Sequence, residues 1–406
     1  MGNGQRQRVW VVSEPYYPEE TSTGYYLTRI AEGLTSVADV SVLCGQPNYS
    51  ARGVVAPARE RHKDVEIYRA SGTRLDKNVI ALKLVNMLTL GLSIFFKALM
   101  NFKRGERVLV VTTPPSLPFV VAAASLIKGL GYTLLIHDNY PEILVAAKKT
   151  RPDSLIVKAN HFANRWLYKY AQRIIVVGRD MDELIGEKVA GLDVPISTIA
   201  NWGEIESVLP APRESNSLLA ELGLEDKFVF LYAGNMGHPN DVESIVEVAR
   251  TTRNGNVHFI FLGTGAKRRW LDDYVTKHAL TNVTLLEPRP RSEQNDFLNA
   301  CDVAIVSLVS RMWGVSMPSR TYNIMAAGKP ILALTEPRSE VALTIEDDEL
   351  GWVTPPEDPE NLARVIDKIY DSREKLAEMG RRARRAAEVR FGPEAAIANY
   401  RRLFER

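Results

Sequence analysis

Residues 227–263 read KFVFLYAGNMGHPNDVESIVEVARTTRNGNVHFIFLG, and the order of patterns in this stretch decides the fold. Two apolar runs, 227–234 and 257–263, each end in glycine, and a segment with helical periodicity, 242–250, lies between them. Apolar runs without alternation indicate strands that are buried on both faces, which is typical of parallel sheets with crossover helices. The stretch therefore predicts a strand–helix–strand unit of an α/β fold.

The same alternation extends through the rest of the chain. A polar, proline-containing segment, 203–217, divides it and is typical of an interdomain linker. We therefore predict two doubly wound, Rossmann-like α/β domains, 1–202 and 203–392, that face each other across a cleft. The further predicted strands are 8–13, 40–45, 65–70, 107–113, 133–138, 173–178, 196–201, 283–288, 303–308 and 330–334.

Composition limits the classes of function. The chain has 406 residues, with 51 basic and 49 acidic side chains, so its net charge is +2. This balance provides no extended positive field, and we predict no nucleic-acid partner. The two cysteines and six histidines show no spacing typical of metal ligands, so no metal site is predicted.

Two common phosphate-binding motifs are missing. No G-x-G-x-x-G follows the first predicted strand, which argues against a nicotinamide-dependent dehydrogenase. No G-x-x-x-x-G-K-[ST] occurs, which argues against a P-loop NTPase. The first twenty residues lack the long apolar core of a secretory signal, and we expect a cytoplasmic protein.

Ligands of open parallel sheets bind outside the carboxyl ends of the strands, so the residues after each strand are the candidates for a site. Several strands are followed by a glycine or small-residue turn and the start of a helix, where backbone N–H groups favour anions. Arg179, Lys267 and Arg320 lie near such turns. A single turn of this kind is more often just a tight connection, whereas several on the same edges suit a diphosphate.

Residues 79–104 form an unusually apolar predicted helix with one narrow polar stripe. One interpretation is a helix that is largely buried in the first domain. The alternative is an interfacial helix that dips into a membrane surface, since the longest charge-free run, 84–96, is too short to span a bilayer. The stripe consists of Lys83, Asn86, Thr89, Ser93, Lys97 and Asn101.

Blocks spread over nearly the whole chain carry a resemblance to a known family. They include EPYYPEETSTGYYLTRIAEGL, IHDNYPE, IIVVGRDMDELI, LYAGNMG, FLGTGAKRRWL, PSRTYNIMAAGKPILAL and GWVTPPEDPENLARVI. The chain resembles the retaining, nucleotide-sugar-dependent glycosyltransferases of family four, which have the GT-B architecture. The blocks GNMG and PSR make it most similar to the branch that builds bacterial surface polysaccharides.

The resemblance implies transfer of a hexosyl or N-acetylhexosaminyl group from a nucleoside diphosphate donor, UDP by family habit, with retention of configuration and without a metal. The second domain would bind the donor. The first would receive a saccharide acceptor, which we expect to be lipid-linked at the inner membrane face, and the C-terminal helix, 393–406, would cross back onto it. A small soluble acceptor, a non-catalytic sugar-nucleotide-binding protein and a GT-B sugar-nucleotide epimerase are the alternatives.

The resemblance also implies roles for individual residues. His137 matches a histidine that orients the transferred sugar, and Gly24 matches a small residue whose amide approaches the phosphates. On the acceptor side, Tyr17, Glu19 and Thr23 follow the first strand. The donor-binding candidates are Gly24, Arg179, Gly234, Asn235, Gly237, Lys267, Arg289, Ser316, Met317, Pro318, Ser319, Arg320 and Asn323.

The sequence departs from the family pattern in two places. The family has two glutamates, one for the donor sugar and one for the ribose, at the positions of Val315 and Asn323. Asn323 retains an amide that can bind a ribose hydroxyl, whereas Val315 offers no polar side chain. The family commonly has Arg and Lys at Asn235 and, approximately, Asn240, so other cations must offset the phosphate charge.

Overall fold

The computed structural model describes residues 6–48, 54–73, 75 and 80–405, except for the side chains of Ile80, Ala81 and Lys83. The chain forms two compact units. Unit 1 comprises Met1–Pro141, Asp153–Ala200 and Glu394–Arg406, and unit 2 comprises Glu142–Pro152 and Asn201–Pro393. The sequence had assigned residues 142–152 to the first domain, whereas the structure groups them with the second.

Each unit contains one sheet, and the predicted α/β class with Rossmann-like parallel sheets is confirmed. The order in unit 1 is β3-β4-β2-β1-β5-β6-β7-β8, with β3 antiparallel to β4 and all other pairs parallel. The order in unit 2 is β11-β10-β9-β12-β13-β14, and every pair is parallel. The strands are β1 (Arg8–Ser13), β2 (Asp39–Cys44), β3 (Arg59–His62), β4 (Val65–Arg69), β5 (Arg107–Val111), β6 (Gly131–Ile136), β7 (Ala171–Val176), β8 (Ile196–Thr198), β9 (Phe228–Ala233), β10 (Val257–Leu262), β11 (Val283–Leu286), β12 (Val303–Ser307), β13 (Ile331–Leu334) and β14 (Gly351–Thr354).

Most of the helices connect strands of the same sheet, as expected for doubly wound sheets. They are α1 (Ser22–Leu34), α2 (Ile80–Asn101), α3 (Leu117–Lys128), α4 (Glu142–Ala146), α5 (Leu155–Lys169), α6 (Arg179–Lys188), α7 (Ser217–Leu222), α8 (Val242–Thr251), α9 (Arg268–Lys277), α10 (Gln294–Asn299), α11 (Arg320–Ala326), α12 (Glu340–Asp347), α13 (Pro359–Asp371), α14 (Leu376–Val389) and α15 (Pro393–Phe404). Helix α15 packs on α1, where Arg401 Nε donates to the Gly33 carbonyl oxygen at 2.8 Å.

The apolar strands form the cores. In unit 2, the rings of Phe230 and Phe259 stack with centroids 5.5 Å apart, and both side chains are buried. Burying an aromatic or aliphatic side chain of this size stabilises the fold by about 1.5–3 kcal/mol. The continuous apolar runs of the sequence therefore form the interior of both units.

Helix α2 differs from its expected environment. Its polar stripe binds the preceding segment: Asn86 Oδ1 accepts from the Leu75 N–H at 3.0 Å, and the Thr73 N–H donates to Thr89 Oγ1 at 3.1 Å. The Lys83 side chain lies outside the described residues. Much of the remaining circumference is exposed, including Leu88 and Phe96, so the first of the two interpretations, a helix largely buried in the first domain, is wrong.

The helix predicted over 79–104 is present as Ile80–Asn101. The window Leu84–Asn101 spans 18 residues with a mean hydropathy of 1.4, and 22% of it is buried. By length and composition this window is sufficient to cross a membrane, which the charge-free run 84–96 alone was not.

Candidate functional site

The topology of unit 2 creates a crevice where the chain reverses its direction along the sheet. Strands β9 and β12 are neighbours although two strands separate them in sequence. The loops that follow them, 234–241 and 308–319, therefore leave the same edge side by side. In open α/β sheets this switch point is the usual place for a ligand.

Arg320, the first residue of α11, lies at this switch point. Its guanidinium Nη2 donates to Asn240 Oδ1 at 3.0 Å, and its Cζ lies 4.7 Å from the centroid of the Tyr232 ring. Its Nη1 is buried and has no hydrogen-bond partner among the described residues. A buried donor without an acceptor costs about 1–3 kcal/mol, so this geometry suits an anionic ligand that supplies the acceptor.

Gly234 makes room for this guanidinium. Its φ of +145° is one that residues with a side chain rarely adopt. A Cβ at this position would lie 3.1 Å from both Cζ and Nη1 of Arg320. The predicted donor residues Gly234 and Arg320 are therefore in contact, although 86 positions of sequence separate them.

The loop after β9 is fixed by the loop after β10. The Met236 N–H donates to the Thr264 carbonyl oxygen at 2.8 Å, and the Lys267 N–H donates to the Met236 oxygen at 2.9 Å. Asn235 is exposed, and its side chain lies against Gly237, where a Cβ would come within 3.0 Å of its Nδ2. Asn235 and Gly237 therefore lie in the same rigid loop as Gly234.

Lys267 is already paired. Its Nζ donates to the Asn240 carbonyl oxygen at 2.6 Å and to Glu243 Oε2 at 2.8 Å, and its side chain is only 13% exposed. The Glu243 carboxylate neutralises much of its charge, which leaves Arg320 as the better phosphate candidate. Lys267 faces a cavity of about 650 Å³, also lined by Lys148, Lys149, His238, Asp241, Glu243, Trp270, Tyr274 and Glu357.

The two positions that lack the family glutamates are both occupied by structural contacts. Val315 is 1% exposed and packs with Ile143 and Ala146 of α4 in an apolar cluster completed by Leu308, Val309 and Met312. The Asn323 Oδ1 accepts the Glu204 N–H at 2.8 Å. The amide oxygen that we predicted for a ribose hydroxyl is therefore engaged with the backbone.

The other predicted donor residues of unit 2 surround this region in different ways. Met317 is buried, whereas Ser316, Pro318 and Ser319 are half-buried in the loop before α11. Arg289 follows β11 and forms ion pairs with Glu293 at 3.2 Å and Glu221 at 3.3 Å.

His137 and Asp138 follow β6 in unit 1. The N–H groups of both residues lie near Thr112 Oγ1, at 3.2 and 3.4 Å. Burial lowers the pKa of His137 to about 4 and raises the pKa of Asp138 to about 6. The imidazole is therefore neutral at physiological pH, and its Nε2 is buried without a hydrogen-bond partner among the described residues.

The remaining predicted residues of unit 1 lie at strand ends. The Gly24 N–H donates to the helix cap Thr21 Oγ1 at 3.3 Å, so that amide has a partner. Arg179 begins α6 and is exposed, and Thr23 is half-buried in α1. The Tyr17 ring stacks on His62 with centroids 3.8 Å apart, and the buried Glu19 accepts the Asn48 N–H.

The structure thus brings Gly234, Asn235, Gly237 and Arg320 together within unit 2. The sequence did not predict Tyr232 as a site residue, and it singled out Asn240 only as a position where the family has a basic residue. Both residues hold the Arg320 guanidinium. The signal for Asn240 was its place directly before Asp241, whose side chain caps α8, at a strand–loop–helix junction. Among the residues that the structure describes, no group of three or more His, Cys, Asp or Glu could hold a metal ion.

Residues 216–386 match the family model described as glycosyl transferases group 1. The chain is 33% identical over 384 residues to the probable glycosyltransferase WbjE of Pseudomonas aeruginosa, covering 90% of each chain. It is 23% identical over 352 residues to the putative colanic acid biosynthesis glycosyl transferase WcaI of Escherichia coli, covering 84% of this chain and 86% of WcaI.

Solved structures share the fold over nearly the full length. Sucrose-phosphate synthase of Thermosynechococcus elongatus superimposes with a TM-score of 0.78 at 16% identity, covering 98% of this chain and 99% of the other. HepE of Anabaena, in complex with UDP and glucose, gives a TM-score of 0.72 at 15% identity with the same coverage. At such identities the similarity concerns the fold alone.

Proposed function

Because the chain belongs to the group 1 glycosyl transferases and has the GT-B fold, we propose that it transfers a sugar from a UDP-sugar to a saccharide acceptor in polysaccharide biosynthesis. The name of WcaI, which refers to colanic acid biosynthesis, supports the pathway class, and UDP bound to HepE supports the nucleotide. The proposed donor sugar is a hexose or N-acetylhexosamine, transferred with retention of configuration.

The single observation that carries the proposal is the environment of Arg320. Its guanidinium lies at the switch point of the second sheet with one buried nitrogen atom that has no acceptor among the described residues. A diphosphate oxygen would supply that acceptor through a charge-assisted hydrogen bond. Asn235 and Asn240 carry no charge at the two positions where the family has basic residues. We therefore assign the role of those residues to the Arg320 cation.

The proposed chemistry follows from charge development. When the bond between the sugar and the diphosphate breaks, negative charge accumulates on the leaving phosphate. A preorganised cation in a partly dry site lowers the energy of that state more than the same cation in water. Arg320, fixed by Asn240 and the Tyr232 ring, has this preorganised geometry.

His137 is proposed to orient the transferred sugar. Because burial lowers its pKa to about 4, its ring is neutral and can donate or accept one hydrogen bond without adding a positive charge. The buried, partnerless Nε2 is the atom available for a hydroxyl. The side chain thus serves as a positioning group, and metal independence of the reaction is part of the same proposal.

The acceptor is proposed to be lipid-linked, at the cytoplasmic face of the inner membrane. Helix α2 supports this location, because its exposed residues include Leu84, Leu88, Leu92, Phe96 and Met100, spaced four apart along one face. Such a face suits the boundary between lipid headgroups and acyl chains. Unit 1, which carries α2, would then receive the acceptor.

A second candidate is a non-catalytic sugar-nucleotide-binding protein. It is favoured by one observation, namely that Val315 and Asn323 are both committed to structural contacts where the family has glutamates. Donor binding without turnover in the presence of acceptors would support this candidate over the transferase.

Thermal stabilisation by nucleotides tests the proposed donor class. The midpoint of thermal unfolding is measured with UDP, GDP, ADP and a panel of UDP-sugars, in EDTA and in Mg²⁺. We expect UDP and one UDP-sugar to raise the midpoint equally in both conditions, since a ligand at a hundred times its Kd adds about 2.7 kcal/mol of stability. No shift with any nucleotide would contradict the proposal, and a shift only with Mg²⁺ would contradict metal independence.

A further inference from the structure

Three helices of unit 1 contain no acidic residue. Helices α2, α3 and α5 carry neither Asp nor Glu, whereas every other helix of eight or more residues carries at least one. The chain as a whole has 49 acidic residues against 51 basic ones, so this segregation is local and does not reflect a basic protein.

The three helices lie side by side on one face of the sheet. They connect β4 to β5, β5 to β6 and β6 to β7, which are steps in the same direction along the strand order. Right-handed crossovers in the same direction place their helices on the same face. Helix α3 packs against α2 on one side and against α5 on the other. We call this surface the acid-free face.

The acid-free face exposes large apolar side chains beyond those of α2. Phe162 of α5 is 81% exposed and Leu155 is 83% exposed, and Ile127 of α3 is exposed as well. A monomeric protein rarely leaves so many large apolar groups in water on neighbouring elements. This surface is therefore suited to contact with a partner.

Cations accompany the apolar groups on α5. Lys158, Arg165 and Lys169 are exposed on the helix that carries Phe162 and Trp166. Their positions relative to Phe162, at four residues before and three and seven after, place them beside the apolar side chains. Aromatic and basic residues on one exposed helix are typical of helices that lie in the interface of an anionic membrane.

The charge pattern also marks where the face ends. Helix α6, the next crossover along the sheet, carries Asp180, Asp182, Glu183 and Glu187, and Asp153 precedes α5. Negative side chains therefore border the acid-free face but do not interrupt it. A surface from which acidic groups alone are excluded is complementary to a negatively charged partner.

We propose that the acid-free face, with α5 as a second docking helix beside α2, lies on an anionic lipid bilayer. This inference rests on the proposed membrane contact through α2 and extends it to the basic, aromatic helix α5 and to the lipid charge. The bilayer accounts for both features at once, since acyl chains cover Phe162 and Leu155 while anionic headgroups meet the cations.

Vesicle partitioning tests the proposal. The full chain is mixed with two kinds of vesicle, one of phosphatidylcholine alone and one that also contains roughly 30% phosphatidylglycerol. Vesicle-bound protein is then separated from free protein by sedimentation. We expect binding to the anionic vesicles that weakens with salt, and little binding to the neutral ones. No binding to either kind, or equal binding to both, would overturn the proposal.

Variants of α5 separate it from α2. Lys158→Glu with Lys169→Glu should weaken binding to anionic vesicles at least about twentyfold, since each cation near the surface contributes about fivefold. Phe162→Ser should weaken it about tenfold. The control for the double variant is Lys277→Glu with Lys375→Glu, and the control for Phe162→Ser is Val389→Ser. Both controls alter exposed residues of unit 2 and should bind vesicles as the unchanged chain does.

The outcomes distinguish this inference from the proposed function. If Leu88→Ser weakens vesicle binding but the α5 variants do not, the role of α5 is refuted while contact through α2 stands. If the protein binds neither kind of vesicle but UDP raises its unfolding midpoint, the membrane proposals fail and the transferase proposal remains. Unchanged midpoints of the α5 variants without vesicles verify that they fold.

Discussion

At the scale of single residues, one arginine lies against the loop in which this chain lacks the two basic residues of the family. The resemblance had located basic residues of the family at positions 235 and 240, where this chain has asparagines. The structure shows Arg320 donating to Asn240 and lying against Gly234 from the start of α11, which is 80 residues beyond Asn240 in the chain. The charge is thus delivered to the same loop from another element.

His137 and Asp138 permit a prediction about pH. Between about pH 4 and 6.5 the unfolded chain binds more protons at position 137 than the folded chain, so His137 makes stability rise with pH. Between about pH 4 and 6 the folded chain binds more protons at Asp138, which makes stability fall with rising pH. The two effects oppose each other in the unchanged protein.

Replacing one of these two side chains should reveal the effect of the other on stability. From pH 4 to 6, the free energy of unfolding of Asp138→Asn should rise more steeply than that of the unchanged chain, and that of His137→Gln should rise less, by up to about 3 kcal/mol in each case. Denaturant unfolding at each pH measures these slopes. Slopes parallel to that of the unchanged chain in both variants would contradict the assigned pKa directions.

At the scale of elements, α4 forms part of the apolar cluster that buries Val315, the position where the family has a glutamate. The segment 142–152 belongs to unit 2, and Ile143 and Ala146 pack on the loop after β12 next to Val315. A carboxylate at position 315 would be buried in this cluster. An apolar side chain at position 315 is therefore compatible with the docking of α4, whereas a glutamate there would bury a charge.

Val315→Glu tests this explanation. The variant restores the family residue but buries an unpaired charge, and we expect it to lower the free energy of unfolding by about 3–5 kcal/mol without improving the affinity for UDP-sugars. Val389→Glu, at a site that is 71% exposed, serves as the control and should change stability by less than about 0.5 kcal/mol. A stable Val315→Glu protein with tighter sugar binding would show that position 315 faces the donor.

Elements could be predicted from sequence where the pattern was local. All predicted strands are present, with ends that move by up to three residues, because continuous apolar runs mark them. Strand β3 was missed because its sequence, RERH, is polar and its pairing depends on a turn in which Lys63 and Asp64 have φ of 44° and 65°. Strand β14, with the sequence GWVT, was missed because only Trp352 and Val353 in it are apolar, so no continuous apolar run marks it.

The site was less accessible to sequence reasoning because its contacts are long-range. The Glu204 N–H reaches Asn323 across 119 positions, and no local pattern announces it. The polar stripe of α2 was recognised, but its partners in residues 71–75 were not, since hydrogen bonds to backbone leave no compositional trace. The family motifs found the loops, and the structure was needed to rank Arg320 above Lys267.

At the scale of the whole molecule, the residues of the proposed function are divided between the two units. Unit 2 holds the switch point with Arg320, and unit 1 holds His137 and the acid-free face. The near-neutral net charge is consistent with this division, because the cations that bind anions are placed locally.

Arg320 is proposed to replace the cations missing from the loop after β9, and the affinity for UDP tests this role most directly. Titration calorimetry would compare the unchanged chain with Arg320→Met, with Arg320→Met combined with Asn240→Lys, and with the control Arg364→Met. Arg320→Met should weaken UDP binding roughly thirtyfold, since a hydrogen bond to a charged group contributes about 1.5–3 kcal/mol. The lysine at position 240 should recover a large part of that loss, and Arg364→Met should bind normally. Unchanged UDP affinity in a folded Arg320→Met protein would contradict the claim.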